Sequence, residues 1–214
     1  MIDKKEIFIF DFDNTIIESL PLCFSCFRIV FEKYKNIKMS DSDIESLFGG
    51  SEEDIIRSHV EEKYADEAVE LFYILYENLH DHFIVQNKVF ENITLLLKKL
   101  NYKGKRLAVF TGKGRKSIQI SMKKLELEKY FNYIVSDDDV ANSKPDSEGI
   151  LKILDHYNAT PSDAIFFGDS DADIISAKKA NVLAVGVNWY KTRKFTISPD
   201  IISKNPLDII YSCC

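Results

Sequence analysis

Two aspartates one residue apart close the run Ile7-Phe8-Ile9-Phe10-Asp11-Phe12-Asp13. Four consecutive apolar residues read as a buried strand, and isolated carboxylates are costly to take out of water. A pair of acids at its end is either the start of a polar turn or a site where a cation lets both stay ionised. Three further segments offer partners. Thr111-Gly112 follows an apolar run at 107–110. Lys144-Pro145 follows the polar loop Ser136-Asp137-Asp138-Asp139. Gly168-Asp169-Ser170-Asp171-Ala172-Asp173 follows an apolar run at 164–167. Carboxylates from two strand ends suit a hard cation such as Mg²⁺, which takes oxygen ligands. The Thr111 hydroxyl and the backbone N–H groups of the glycine turn suit phosphate oxygens. Lys144 would neutralise charge on a nucleophile and a transferring group. Asp13 would protonate a leaving oxygen and later activate water. Uncatalysed phosphomonoester hydrolysis is so slow that enhancement reaches on the order of 10²¹-fold, which asks for a nucleophile, a metal and a fixed cation together.

These residues share one edge only if the apolar runs are strands of one sheet. Short runs lie at 7–10, 107–110, 133–135, 164–167 and 182–187. They are too short for helices and continuously apolar, as strands covered on both faces are. Helical stripes lie between the later ones: Ile93, Leu96, Leu97, Leu100; Ile118, Met122, Leu125; and Ile150, Ile153, Leu154, Tyr157. The alternation predicts an α/β fold, a Rossmann-like parallel sheet with helices on both faces, whose ligands bind beyond the carboxyl ends of the strands. Residues 16–82 break the rhythm. Cys23, Phe27, Val30, Phe31 and Tyr34 share one helical face, and Ala68, Leu71, Phe72, Leu75 and Leu79 another. Ser40 with Asp43, and Ser51 with Asp54, resemble capping boxes. The division expected is an α/β core of residues 1–15 and 83–214 with an inserted all-helical domain at 16–82.

The chain has 214 residues, enough for one α/β domain plus a small insertion. With 28 basic against 34 acidic residues and a net charge of −6, no general nucleic-acid or anionic-membrane partner is expected. No apolar run approaches the length of a membrane span, and the charged opening Met-Ile-Asp-Lys-Lys-Glu does not read as a leader, so a soluble cytoplasmic protein is expected. Cys23 and Cys26 have no second pair at zinc-site spacing and sit on an apolar helical stripe, which makes them buried thiols. Cys213 and Cys214 are read as a frayed tail.

Asp-Phe-Asp-Asn-Thr at 11–15, Thr111-Gly112, Lys144-Pro145 and Gly-Asp-Ser-Asp-Ala-Asp at 168–173 resemble, in order, the four motifs of haloacid dehalogenase-like hydrolases. The inserted helices are similar to the cap of the phosphoglycolate phosphatase and β-phosphoglucomutase branch. The resemblance implies Asp11 as the nucleophile that becomes an aspartyl-phosphate, and Asp13 as general acid/base with its carbonyl on Mg²⁺. It also implies Thr111 and Gly112 on the phosphoryl group, and Lys144 steadying Asp11 and that group. Asp169 would be the other carboxylate ligand, Asp173 would orient metal-bound water, and Thr15 would hold the first loop by hydrogen bonding. The substrate implied is a small phosphorylated metabolite; the oligomeric state stays open.

An acid two residues after the nucleophile favours a phosphatase or mutase over a dehalogenase, because an alkoxide needs a proton and a halide does not. Asn14 stands where many members have Gly, a mild departure since Asn tolerates left-handed backbone. β-Phosphoglucomutase-like caps carry an arginine after a Gly-x-Ser segment. Here Gly49-Gly50-Ser51 is followed by Glu52, whose charge would repel a second phosphate. A Mg²⁺-dependent, phosphoglycolate phosphatase-like enzyme is therefore expected, with a mutase or an idle phospholigand binder as alternatives. Arg57 is read as solvated, Lys113, Arg115 and Lys116 as exposed helix-start charges, and Asp137, Asp138 and Asp139 as a solvated loop with one acid facing the metal's surroundings. Asp171 is read as a helix-start residue and His80 and His82 as surface residues. Trp189 and Tyr190 either shape the pocket rim or pack.

Overall fold

The computed structural model describes residues 2–191 and 194–212, so Cys213 and Cys214 lie outside the described residues. Strand β1 (Ile7–Phe10) runs at the centre of a six-stranded parallel sheet. Around it lie β2 (Arg106–Phe110), β3 (Tyr133–Val135), β4 (Ala164–Gly168), β5 (Leu183–Val187) and β6 (Ile201–Ser203), in the order β3-β2-β1-β4-β5-β6. Both flanks of β1 are paired: Phe8 is in register with Leu107 on one side and Ile165 on the other. The first five strands fall on the predicted runs within a residue. The sixth was not expected, because Ile201-Ile202-Ser203 offers only two apolar residues.

Side chains of a strand alternate between faces, and each face of this sheet has its own core. Phe8, Phe10, Leu107, Val109 and Phe167 pack with Leu96 and Leu97 of helix α5 (Lys88–Tyr102), reached after the insertion. Ile7, Ile9, Phe110 and Phe166 pack on the opposite side with Ile150 and Ile153 of α7 (Glu148–His156) and Ile174 of α8 (Asp171–Lys179). Helix α6 (Arg115–Lys124) follows β2, and α9 (Pro206–Ser212) ends the described chain. Phe10 and Phe167 stack at 4.8 Å between ring centres. Burying one such ring contributes about 1.5–3 kcal/mol.

Between β1 and α5 lie four helices: α1 (Leu20–Lys35), α2 (Asp41–Glu45), α3 (Glu52–His59) and α4 (Glu62–Phe83). Both expected capping boxes form, Ser40 with Asp43 and Ser51 with Asp54. Phe27 of α1 meets Phe72 of α4 at 4.7 Å, on the two predicted stripes. The sequence division at 82/83 falls in the last turn of α4. His80, expected at the surface, is 1% exposed beneath Tyr76, because it stands one turn beyond that ring on the buried stripe of α4. His82 is exposed. Trp189 packs, donating to the Ser203 hydroxyl at 2.9 Å, and the Tyr190 hydroxyl donates to the Ile16 carbonyl.

Candidate active site

The loop after β1 is made by Asn14. Its φ of 56° is the left-handed conformation that Asn accepts more readily than other side-chained residues. Phe12 O takes the N–H groups of Thr15, Ile16 and Ile17 there, and Asn14 N donates to Ile17 O. Asp11 extends the ladder by donating its N–H to Phe167 O, so the carboxylate emerges at the sheet's edge beside β4. Thr15 holds this loop through its backbone. Its buried hydroxyl has no hydrogen-bond partner among the described residues.

The β4–α8 turn presents the second group of acids. Ser170 caps α8, and the Asp173 Oδ2 takes both the Ser170 hydroxyl at 2.7 Å and its N–H at 3.0 Å. One short sequence, Ser-x-x-Asp, thus starts the helix and fixes a carboxylate whose other oxygen faces the site. Gly168 makes this possible: a Cβ there would stand 2.3 Å from the Asp173 Cβ. Gly168→Ala is expected to cost roughly 1–3 kcal/mol by overpacking, read by urea unfolding.

Lys144 joins the two groups. Its Nζ donates to Asp11 Oδ1 and to Asp173 Oδ1, each at 2.7 Å, above the rings of Phe110 and Phe166. One oxygen each of Asp11, Asp169 and Asp173 lie within 4.8 Å of one another, all buried. Asp173, placed by sequence one step from the metal, is part of this cluster. Burial pushes Asp11 up to about 7 against the pull of Lys144, with Asp173 and Asp13 pushing the same way. Lys144 stays charged above its ordinary value because Asp11 and Asp173 outweigh its burial. Three carboxylates facing one ammonium leave two formal negative charges, which a divalent cation held by hard oxygens balances.

Asp11, Asp13, Gly112, Lys144, Asp169 and Asp173 line one cavity of about 270 Å³. The expected site residues therefore converge, with two exceptions. Thr111 and Thr15 are fully buried and do not line it. The Thr111 hydroxyl accepts the Lys113 N–H at 3.2 Å. The Asp13 side chain stands apart from the three clustered acids: Ser19, at the start of α1, donates its hydroxyl to Asp13 Oδ1 instead of capping its own helix.

Lys113 is a correction. It is 2% exposed rather than a helix-start surface charge, with Nζ at 3.2 Å from Asp13 Oδ1 and 3.4 Å from Glu52 Oε1. Burial would push it toward neutrality, but Asp13, Cys23, Tyr76 and Glu52 outweigh that and keep the ammonium charged. Glu52 is likewise no loose repelling charge. It is 5% exposed and its Oε2 accepts the Gly114 N–H at 2.6 Å. Lys116 is exposed as expected, and Arg115 pairs with Asp139. The aspartate loop is not simply solvated. Asp137 is 6% exposed and lines the cavity, Ser143 donates to it at 3.0 Å, and burial pushes it up to about 6 despite that bond. Asp138 accepts the Arg115 N–H at 2.6 Å. Asp171 stands at the start of α8 as read, accepting from Thr196 and Ile197. Arg57 pairs with Glu53 and Asp66, away from the cavity. Cys23 and Cys26 are buried free thiols, and burial pushes the Cys23 thiol up to about 12.

A parallel sheet with an acid–lysine crevice beyond its strand ends, beside helices inserted after the first strand, is a doubly wound α/β architecture with its site at the strand ends. Residues 8–187 match the haloacid dehalogenase-like hydrolase family, and the chain belongs to that family. A Bacillus anthracis protein named pyrophosphatase PpaX is 25% identical over 205 residues, covering 94% of this chain and 93% of its own. Two solved structures share the fold. A predicted phosphoglycolate phosphatase of Haemophilus somnus superposes with a TM-score of 0.82 at 20% identity, over 99% of each chain. CbbY of Rhodobacter sphaeroides, solved with phosphate, gives 0.81 at 17% identity over 96% of each chain. Among the described residues no helix is long and apolar enough to cross a membrane.

Proposed function

We propose that the protein is a Mg²⁺-dependent phosphatase that hydrolyses a small phosphomonoester through an aspartyl-phosphate on Asp11. The observation that carries this reading is Lys144 held between Asp11 and Asp173, with Asp169 completing a buried acid cluster at the sheet's edge. Asp11 and Asp169, with the Asp13 carbonyl, would hold the ion, and Asp173 would bind it or orient its water. The chemistry a bound Mg²⁺ supplies there is neutralisation of the negative charge between nucleophile and phosphoryl group. Asp11 attacks phosphorus while Asp13 gives a proton to the departing oxygen. Asp13 then takes a proton from the water that opens the acyl phosphate. Lys144 holds Asp11 throughout, and the Gly112 turn receives the phosphoryl oxygens, with the buried Thr111 hydroxyl bracing that turn through the Lys113 N–H. Residues 16–82 act as a cap over the core of 1–15 and 83–214, excluding bulk water when seated.

The covering side of the cavity is mostly apolar, with Leu20, Cys23, Phe27, Phe48 and Ile55, and the charge it brings is the carboxylate of Glu52. Both lysines that line it are engaged by carboxylates. That disfavours a bisphosphate and hence the mutase alternative. The similarity to a protein named pyrophosphatase supports a second reading, in which inorganic pyrophosphate is the substrate and phosphate the leaving group. Phosphate release from p-nitrophenyl phosphate with Mg²⁺, then from phosphoglycolate, sugar phosphates, nucleotides and pyrophosphate, tests both. No release from any of them leaves the idle phospholigand binder standing.

Metal addition gives a separate check. In the metal-free protein Asp11 titrates near 7 in the fold but near 3.8 when unfolded. The folded state then binds more protons between those values, so this group's contribution to stability falls as pH rises through them. A divalent ion needs the ionised carboxylate. Mg²⁺ is therefore expected to raise the melting temperature clearly at pH 8 and little at pH 5, measured by differential scanning fluorimetry; equal shifts at both pH values contradict the assignment.

A further inference from the structure

Lys113 takes no part in the reaction set out above, yet its ammonium is buried where core and insertion meet. It lies 3.2 Å from Asp13 Oδ1, 3.4 Å from Glu52 Oε1 and 3.1 Å from Cys23 Sγ, and 4.9 Å from the centre of the Tyr76 ring. Three of these four partners stand on the inserted helices: Cys23 on α1, Glu52 on α3 and Tyr76 on α4. The fourth is the acid of the loop after β1. Burying an ammonium is costly without such partners. Neighbouring Lys116, one turn on, takes the solvent instead.

Asp13 is held asymmetrically. Its Oδ1 receives both the Ser19 hydroxyl and the Lys113 ammonium, and among the described residues no hydrogen bond is made to its Oδ2. Two donors on one oxygen fix the rotation of the carboxyl group and leave the other oxygen for the ligand. The cap side of the arrangement is fixed too. Glu52 accepts the backbone N–H of Gly114 while reaching Lys113, so it grips the segment that carries the lysine. Gly114 permits the approach, since a Cβ there would come within 2.9 Å of Glu52 Oε2.

We propose that Lys113 is a positioning residue that makes the orientation of Asp13 depend on the seating of helices α1–α4. With the helices seated, Glu52, Cys23 and Tyr76 enclose the ammonium and place it on Asp13 Oδ1, which turns Oδ2 to the leaving oxygen. With them lifted, Lys113 loses three partners at once, and Ser19, which leads into α1, no longer fixes Asp13 from the other side. Proton delivery is then available only in the covered site. This inference rests on Asp13 being the proton donor.

The test compares phenyl phosphate, whose leaving group needs a proton, with p-nitrophenyl phosphate, of nearly the same shape, which needs one far less. K113M keeps the length and removes the charge. It is expected to lower kcat on phenyl phosphate roughly 30-fold and on p-nitrophenyl phosphate less than about 5-fold, with KM little changed on both. K113R is expected to recover most of the loss. E52Q should show the same bias at smaller size, and K113M/E52Q should be no worse than K113M, because one path is cut twice. Equal losses on both esters, or losses that multiply in the double variant, overturn the proposal. If K113M fails to fold by circular dichroism, E52Q decides alone, and no leaving-group bias in it overturns the proposal. Failure of the underlying phosphatase reading looks different: the wild-type protein with Mg²⁺ then releases phosphate from neither ester.

Discussion

Asp11→Asn is expected to leave a folded protein with turnover lowered on the order of 10⁴-fold or more, because no later step proceeds without the group that accepts the phosphoryl. The substitution is nearly isosteric. The Asp11 backbone keeps its bond to Phe167 O, and Lys144 keeps Asp173 at 2.7 Å. It also removes a carboxyl that burial disfavours as an ion, so the fold does not lose by it what the chemistry loses. Phosphate release measured beside a thermal melt separates the two. Retained activity in a protein of normal melting temperature would falsify the nucleophile assignment. Covalent ³²P transfer to the wild-type chain from a labelled ester, absent in Asp11→Asn, would show the intermediate itself.

Lys144→Met should damage both activity and stability. The ammonium is the bridge between Asp11 and Asp173, and removing it leaves three buried acids facing each other. Breaking a buried pair from one side costs roughly 3–5 kcal/mol, here in the metal-free protein near neutral pH. The deficit should shrink toward pH 5, where Asp11 takes up a proton and the repulsion falls. Mg²⁺ should restore part of it, since the cluster then carries a larger surplus of negative charge. Loss of the fixed cation should lower kcat by about 10²–10³-fold. Urea unfolding at pH 5 and pH 8, with and without Mg²⁺, reads the first effect. A loss of stability independent of both pH and Mg²⁺ would mean that Lys144 acts only through packing on Phe110 and Phe166.

The sheet was legible because its strands are continuous apolar runs, and the converging acids were legible because each follows such a run. That rule brings the acids after β1 and β4 to one edge; the choice of Asp11 and Asp169 among them is what the family resemblance implies. Lys113 could not be placed by it. A lysine beside two glycines at a helix start has the composition of a solvated turn, and its partners Asp13 and Glu52 are remote in the chain. The burial of His80 is hidden for a related reason: the buried stripe of α4 continues one turn past Tyr76 onto a polar residue. Asp137 was partly anticipated as an acid near the metal. Its burial follows from Ser143 folding back over it, a contact that no short pattern announces. The sequence announces the charge of Glu52 but not the Gly114 N–H that Glu52 accepts. For Lys113 and Glu52 the deciding feature is the position of the inserted helices against the core, which depends on side-chain fit rather than on periodicity.

The centre of the sheet is made well before either of the strands that enclose it. Ile7 pairs with Arg106 on one side and with Ala164 on the other, a separation of 157 residues. At ribosomal speeds of roughly 5–20 residues per second, the segment Ile-Phe-Ile-Phe waits about 8–30 s for its second neighbour. During that interval α1–α4 are already synthesised and can assemble on their own local contacts, while an unpaired aromatic strand trails ahead of them. Nascent chains should therefore be most prone to aggregate, and most dependent on chaperones, between the emergence of the inserted helices and that of β4.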